Sequence, residues 1–406
     1  MDKLQKILEG IRVKKKYSKE LRDPLLWLFG EWFGERCNDN CLNMANYVSE
    51  YHPEINVFWA AKRQCDCKGL NPKIHIVYFG TRNALNIYRK AGVVFMNQGF
   101  GDFSISGFNY FGNALTINLW HGVMWKRIGH DGSRRNNFLY RIYTKMNDFA
   151  FGADKYVATS EEYAKVCESA FGAKKAQIIR VGYPRNALFY DEDSIVNARK
   201  SILLQLKEET GMPFDDNVKI ITYMPTFRDK KDDTFSFESF SEYSELSDVL
   251  IKHNAIILQK AHFINQKRNQ KNDTEYNDRV FEFNNVDAQI LLAATDLLVT
   301  DYSSCFFDFL LLDRPIIHFI YDYNYYAVKD RGLYYKYQDV CCGDVVFDKE
   351  SLIKSIQMNL DLPNKDKSLR TSRLKKYMNY ESPRSCEIIF DYITDGFSSG
   401  KIRGTR

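Results

Sequence analysis

The chain has 406 residues and a mass of 47.6 kDa, more than one hydrophobic core commonly sustains, so two domains are expected and a single small binding module is excluded. Hydrophobic residues make up 45% and charged residues 27%, a balance that folds and excludes global disorder. The 57 Lys and Arg exceed the 52 Asp and Glu by only 5, too little over this length to argue for a nucleic-acid partner.

The first 34 residues join a basic stretch, Arg12 to Lys16, to the apolar Pro24–Phe29 and to Trp32–Phe33. They suit a helix on an anionic membrane surface, and equally a helix packed on the body of the protein. Neither a secretory signal nor a membrane-spanning run is predicted. Strand-like runs follow at Ile55–Trp59, Ile74–Phe79, Val93–Met96, Leu115–Trp120, Tyr156–Ala158 and Ile178–Val181, alternating with helical patterns such as Glu161–Ala170, which Thr159 and Ser160 could cap. The alternation predicts α/β architecture with mainly parallel sheet. A polar linker region over 196–216 carries one helix and ends in Gly211–Phe214. A second series then runs through Lys219–Tyr223, Ile256–Leu258, Val280–Phe283, Leu297–Thr300, Ile316–Phe319 and Val345–Phe347. Gln266–Asp278 reads as a mobile polar loop, the last 55 residues as helices, one of them crossing back to brace the first domain, and Ser398–Gly404 as a frayed tail. The nine cysteines, odd in number and with Cys65 and Cys67 only one residue apart, fit a reducing compartment and argue against structural zinc. No metal and no cofactor is expected.

Polar groups gather just after three strands, where open α/β sheets build their sites. Trp120-His121-Gly122 delivers a histidine onto a glycine, with Lys126 and Arg127 supplying positive charge nearby; such a histidine can take a proton from an attacking hydroxyl or can simply be satisfied at a domain interface. Gln259-Lys260-Ala261-His262 ends a strand of the second domain. Asp301-Tyr302-Ser303-Ser304 runs from strand into helix and offers hydroxyls and backbone N–H groups to phosphate, or merely caps the helix. Arg228, Arg185 and Arg331 are further guanidinium groups suited to phosphate. The glycine-rich loops of hydride-transfer and P-loop folds are missing, as are the metalloprotease and nucleophile-elbow motifs, which leaves metal-sparing transfer on a phosphate-bearing donor.

Over roughly residues 35 to 385 the chain resembles the CDP-glycerol glycerophosphotransferase family, enzymes that build teichoic acids and related capsule polymers. The resemblance rests on an ordered set: Gly34-Glu35-Arg36 through Asp39-Asn40, Trp120-His121-Gly122 with Lys126 to Gly129, Gly182-Tyr183-Pro184-Arg185-Asn186, Pro225-Thr226-Phe227-Arg228, Asp301-Tyr302-Ser303-Ser304 with Phe307-Asp308-Phe309, Arg314-Pro315 and Arg331-Gly332. It implies a GT-B-like fold of two Rossmann-like domains, acceptor-binding over 35–195 and donor-binding over 217–385, with the active site in the cleft between them and a C-terminal helix and tail over 386–406. His121 would act as base toward the acceptor hydroxyl. His262 would bind or polarise the donor diphosphate, assisted by Arg228, Asp301, Ser303, Ser304 and Arg331, with Lys126 and Arg127 on the acceptor side. The implied partners are CDP-glycerol or CDP-ribitol and a lipid-linked, oligosaccharide or polymer acceptor at the cytoplasmic face of the membrane. Val123 and Met124 stand where the family commonly has threonine and proline, which would remove a hydroxyl and a rigid turn from the acceptor side. A nucleotide-sugar glycosyltransferase and a non-catalytic membrane-associated scaffold are the competing readings.

Overall fold

A computed structural model describes residues 3–132, 137–226, 235, 237, 244–260, 279–323 and 332–398. The chain divides into two compact units: residues 1–121, 127–187 and 379–406 form the first, and residues 122–126 and 188–378 the second.

In the first unit a seven-stranded, wholly parallel sheet is built from β1 (Asp23–Phe29), β2 (Asn56–Ala61), β3 (His75–Tyr78), β4 (Ala91–Met96), β5 (Leu115–Asn118), β6 (Lys155–Ala158) and β7 (Ile178–Arg180), in the order β3-β2-β1-β4-β5-β6-β7. In the second, β8 (Lys219–Met224), β9 (Ala255–Gln259), β10 (Val280–Glu282), β11 (Leu297–Thr300), β12 (Ile316–Phe319) and β13 (Asp344–Val346) are also all parallel, in the order β10-β9-β8-β11-β12-β13. Counted from its own first strand, each sheet starts 3-2-1-4-5-6, the order of a doubly wound sheet, whose direction of winding reverses between the first and fourth strands. That switch point lies between β1 and β4 in one unit and between β8 and β11 in the other.

Helices cover the sheets: α1 (Lys3–Tyr17), α2 (Asn40–Tyr51), α3 (Arg82–Lys90), α4 (Phe138–Phe151) and α5 (Glu161–Phe171) in the first unit, and α6 (Glu192–Thr210), α7 (Ser244–Lys252), α8 (Ala288–Ala294), α9 (Cys305–Phe309), α10 (Tyr337–Val340), α11 (Lys349–Asp361) and α12 (Lys367–Tyr377) in the second. The last, α13 (Ser385–Ser398), returns to the first unit and packs on α2. Ser160 caps α5, its hydroxyl accepting the Tyr163 N–H at 3.0 Å.

One sequence expectation is corrected. Residues 24–29 are not part of a surface helix but an interior strand of the first sheet, paired on both edges, with Trp27 and Phe29 buried and Phe29 stacked on Phe95 at 4.6 Å. A strand covered on both faces is a continuous apolar run with no alternation, which periodicity cannot tell from helix; Pro24 is tolerated because it sits at the strand's start. The helix expected in the stretch 196–216 is present as α6, which runs to Thr210, buries Ala198, Ile202, Leu203 and Leu206 and packs on α8 before Gly211 closes it at φ 73°. The loop 266–278 and the tail 399–404 lie outside the described residues.

Candidate active site

The loops leaving β1, β4 and β5 converge at the switch point of the first sheet, and three buried carboxyl groups tie them together. Asp102 accepts the backbone N–H of Phe33 at 2.8 Å through one oxygen, and those of Asn97 at 3.0 Å and Gln98 at 2.8 Å through the other. Glu31 accepts from Asn38 at 2.6 Å, Asp39 at 2.9 Å and Cys41 at 3.2 Å, so it closes the approach to α2. Asp39 caps α2 through Asn40 N–H and accepts from Trp32 Nε1 at 3.1 Å and Asn97 Nδ2 at 3.3 Å. Burial pushes the Glu31 carboxyl well above its usual range, with the Asp39 charge adding to it. It raises Asp102 to about 7 against the pull of the backbone N–H groups.

Arg185, from the Gly-Tyr-Pro-Arg-Asn segment, locks this frame to the loop after β5. Its Nη1 donates to Asp39 Oδ1 at 2.9 Å and to the His121 carbonyl at 3.1 Å, while its backbone N–H donates to Asn40 Oδ1 at 3.1 Å. Asn40 Nδ2 in turn donates to the Trp120 carbonyl at 2.9 Å. The backbone held in this way is strained: Trp32, Phe33 and Trp120 take φ of 48°, 57° and 57°, left-handed values that cost a bulky residue energy and persist only where surroundings impose them. Gly122, at φ 142°, occupies a conformation that side-chain-bearing residues rarely adopt.

His121 is the product of that strain. Its half-buried ring lies between Trp120, at 4.3 Å, and Trp32, at 5.4 Å between centroids. Burial lowers its pKa to about 4, with Asp39 and the Asn97 carbonyl pulling it up and Arg185 pushing it down. The ring is therefore neutral at pH 7. Nδ1 lies 3.2 Å from the Gln98 side-chain amide and 3.4 Å from the Asn97 carbonyl. Gln98 presents its nitrogen Nε2 to the ring, whereas the Asn97 carbonyl can only accept; a proton on Nδ1 therefore goes with the Gln98 amide turned to present its oxygen, and in that tautomer the His121 Nε2 keeps its lone pair. A neutral imidazole with Nε2 bare is equipped to accept a proton.

At the second switch point, buried Asp301 bridges β11 to β8, accepting the N–H of Thr226 at 2.8 Å and of Ser303 at 3.2 Å. His318 is also fully buried; its Nε2 accepts the Cys342 N–H at 3.2 Å, so the ring proton sits on Nδ1. Burial lowers its pKa to about 4. Ser303 and Ser304 are half-buried at the start of α9. Tyr302 donates to Asp322 at 3.2 Å and packs against Trp125, ring centroids 5.5 Å apart. Trp125 belongs to the five residues, Gly122–Lys126, that follow His121 directly and lie in the second unit. Its Nε1 donates to the Tyr335 carbonyl at 2.8 Å, and Lys126 bridges Leu333. Val123 and Met124 are buried in the same segment.

Of the residues singled out from sequence, His121, Asp301, Ser303 and Ser304 thus sit at switch points. Lys126 and Arg127 are half-buried, the first in the second unit and the second in the first. His262, Arg228 and Arg331 lie outside the described residues. Arg314 donates to the Ala293 and Thr295 carbonyls, 2.7 and 2.6 Å away, and so holds backbone. Glu31, Asn97, Gln98 and Asp102 were missed. Their signal is faint: single polar residues closing the buried strands β1 and β4, in loops without a recognised motif.

Two parallel sheets of doubly wound order, each closing in polar loops at its switch point, are consistent with a GT-B-like α/β architecture. The chain belongs to the family described as CDP-Glycerol:Poly(glycerophosphate) glycerophosphotransferase, which it matches over residues 13–395. It is 28% identical over 297 residues to a teichoic acid poly(glycerol phosphate) polymerase of Bacillus spizizenii, covering 71% of this chain and 69% of the relative. It is 25% identical over 407 residues to a teichoic acid glycerol-phosphate transferase of Staphylococcus aureus, covering 95% of this chain and 98% of the relative. Among solved structures, the wall teichoic acid polymerase TagF superposes with a TM-score of 0.78 at 20% identity, covering 98% of each chain, a likeness of fold.

Proposed function

We propose that the protein transfers glycerol phosphate from CDP-glycerol to an acceptor hydroxyl, releasing CMP, in the synthesis of teichoic acid or a capsular polymer. The observation that carries this reading is the buried His121 ring, its pKa lowered to about 4, held with Nδ1 against the Asn97 carbonyl on a strained loop at a switch point; a proton on Nδ1 leaves Nε2 to act as base. The acceptor O–H gives its proton to Nε2 as the oxygen attacks the β-phosphorus. The bond from that phosphorus to the bridging oxygen breaks, CMP leaves with the electron pair, and a phosphodiester forms. Ser303 and Ser304 stand for donors to the diphosphate, with Asp301 fixing their turn; His262, Arg228 and Arg331 are assigned to the same donor, and Lys126 and Arg127 to the acceptor side. The match to the family and its relatives supports the reaction class.

Incubation with CDP-glycerol, CDP-ribitol and nucleotide sugars, each with a lipid-linked or oligosaccharide acceptor, tests the proposal by nucleotide release. Acceptor-dependent CMP from CDP-glycerol is expected. UDP from a sugar donor instead would reassign the chain to glycosyl transfer.

The membrane contact moves from Trp27, which is buried, to the paired helices α1 and α4. Gly10 lets them close, because a side chain there would meet Phe151 Cζ at 2.6 Å. Leu4, Leu8, Phe138, Leu139, Ile142 and Phe149 are exposed beside Lys14, Lys15 and Lys16, and Lys14 donates to the Phe149 carbonyl at 3.2 Å. Basic groups beside exposed apolar ones suit a peripheral seat on anionic lipid at the inner membrane face. Among the described residues no helix is long and apolar enough to cross a membrane. Phe138→Ser with Leu139→Ser is expected to reduce flotation with anionic vesicles; unchanged flotation rejects this surface.

A further inference from the structure

The first unit carries a cleft of roughly 500 Å³ along the flank of α2, on residues that no step above uses. Asn43, Tyr47, Glu50 and Tyr51 recur at helical spacing and line one side, facing Asn71 and Arg384 across it. The walls are set before any ligand arrives: Asn71 Nδ2 donates to Glu50 Oε2 at 2.9 Å, and Asn43 Nδ2 donates to the Asp39 carbonyl at 3.1 Å.

The positive charges here are already engaged. The Arg384 guanidinium closes on Glu387 through two bonds of 2.6 and 2.7 Å, and Lys73 lies 3.2 Å from Glu50. A phosphate or nucleotide would have to compete with Glu387 and Glu50 for these exposed cations and would meet the Glu50 carboxylate, which its Asn71 and Lys73 partners hold below the usual range. What the cleft offers is an amide oxygen on Asn43, the second Glu50 oxygen, two phenol hydroxyls and two aromatic faces. The Tyr47 and Tyr51 rings are 5.1 Å apart, and Tyr51 is 68% exposed. Hydrogen-bond acceptors and donors, one of them a carboxylate, beside exposed aromatic rings complement a molecule with many hydroxyls and one flat C–H face. The volume is within the range of small-ligand sites.

We infer that this cleft is a subsite for a neutral saccharide, stacked on Tyr51 and Tyr47 and hydrogen-bonded by Asn43 and Glu50. The binding goes beyond the transfer reading and stands without it. One extension does rest on that reading: α2 rises about 10 Å from Asn40 to Tyr47, so a sugar-bearing acceptor held in the cleft would extend toward the His121 loop that Asn40 anchors.

The test is calorimetric titration and saturation-transfer NMR on the full chain, with methyl pyranosides and neutral disaccharides as probes and inorganic phosphate and glycerol 3-phosphate as anionic controls. At least one neutral saccharide is expected to bind, with Tyr51→Ala and Asn43→Ala each weakening it by about fivefold or more and His121→Ala leaving it unchanged. Tyr51 is exposed enough that its loss spares the fold, which circular dichroism checks. The inference is overturned if no saccharide of the panel binds, if binding survives both substitutions, or if the phosphates compete equally. Saccharide binding without any CMP release in the native chain would sink the transfer reading alone.

Discussion

Replacing Arg185 with alanine is expected to destabilise the first unit severely. The Arg185 and Asp39 side chains are only 10% and 5% exposed, and their contact is 2.9 Å. At an effective dielectric of about 20 that separation corresponds to roughly 6 kcal/mol of attraction, much of it offset by the desolvation of both ions. Removing one partner is different, because Asp39 keeps its burial and its neighbour Glu31 while losing its cation. Breaking a buried pair in this way costs about 3–5 kcal/mol, a large share of a total that is about 5–15 kcal/mol for a typical domain. Urea unfolding followed by tryptophan fluorescence reads the effect locally, since Trp32 Nε1 donates to Asp39 itself. With a slope of about 2 kcal/mol per molar urea, the midpoint of the first unit should fall by about 1.5 to 2.5 M. The double variant Arg185→Met with Asp39→Asn should lose less than the two single losses added together, by about 2 kcal/mol. A midpoint shift of under about 0.5 M for Arg185→Ala, or strict additivity in the double variant, refutes the reasoning.

His121→Ala should abolish CMP release while leaving the urea midpoint within about 1 kcal/mol of the native chain; full activity ends the general-base role. Gln98→Leu removes the side-chain amide that meets His121 Nδ1, so turnover should fall and the acid limb of its pH profile should move, whereas Gln98→Glu, which can only accept from Nδ1–H, should keep much of the rate if Nε2 is the base. Stability should decline on acidification: His318, at about 4 in the fold and near 6.5 when unfolded, binds its proton first in the unfolded chain, so stability is full above about pH 6.5 and is lost toward pH 4, by up to about 3 kcal/mol. Asp102, raised to about 7, acts oppositely, its penalty growing from about pH 4 to 7; the decline between pH 7 and 5 should therefore be smaller in His318→Gln and steeper in Asp102→Asn, as unfolding curves at each pH will show. Gly182→Ala places a Cβ 2.6 Å from Glu381 Oε2 and 2.7 Å from Ser385 Oγ, overpacking that should cost about 1–3 kcal/mol by thermal or urea unfolding.

The alternation of strand and helix was legible because each strand after Ile55 is a short apolar run bounded by turn residues, and parallel pairing follows from helices between strands. His121 and Asp301 were legible as polar residues delivered by such runs. The sequence by itself determined these local facts: which segments bury their side chains, which residues end them, and that the motif order is that of the family. It did not determine the role of Pro24–Phe29, since an apolar run carries no record of what will cover it, and only sheet formation made it an interior strand. Nor did it disclose the work of Glu31, Asp102 and Arg185. Their partners are mostly backbone N–H groups and carbonyls brought together by the fold, Arg185 reaching Asp39 across 146 positions of chain, and a backbone group has no letter in the sequence. Tertiary structure also decided the protonation of His121. Sequence supplies an imidazole with a pKa near 6.5, partly protonated near neutral pH, and burial among Trp32 and Trp120 lowers it to about 4, while the fold sets Nδ1 against the Asn97 carbonyl.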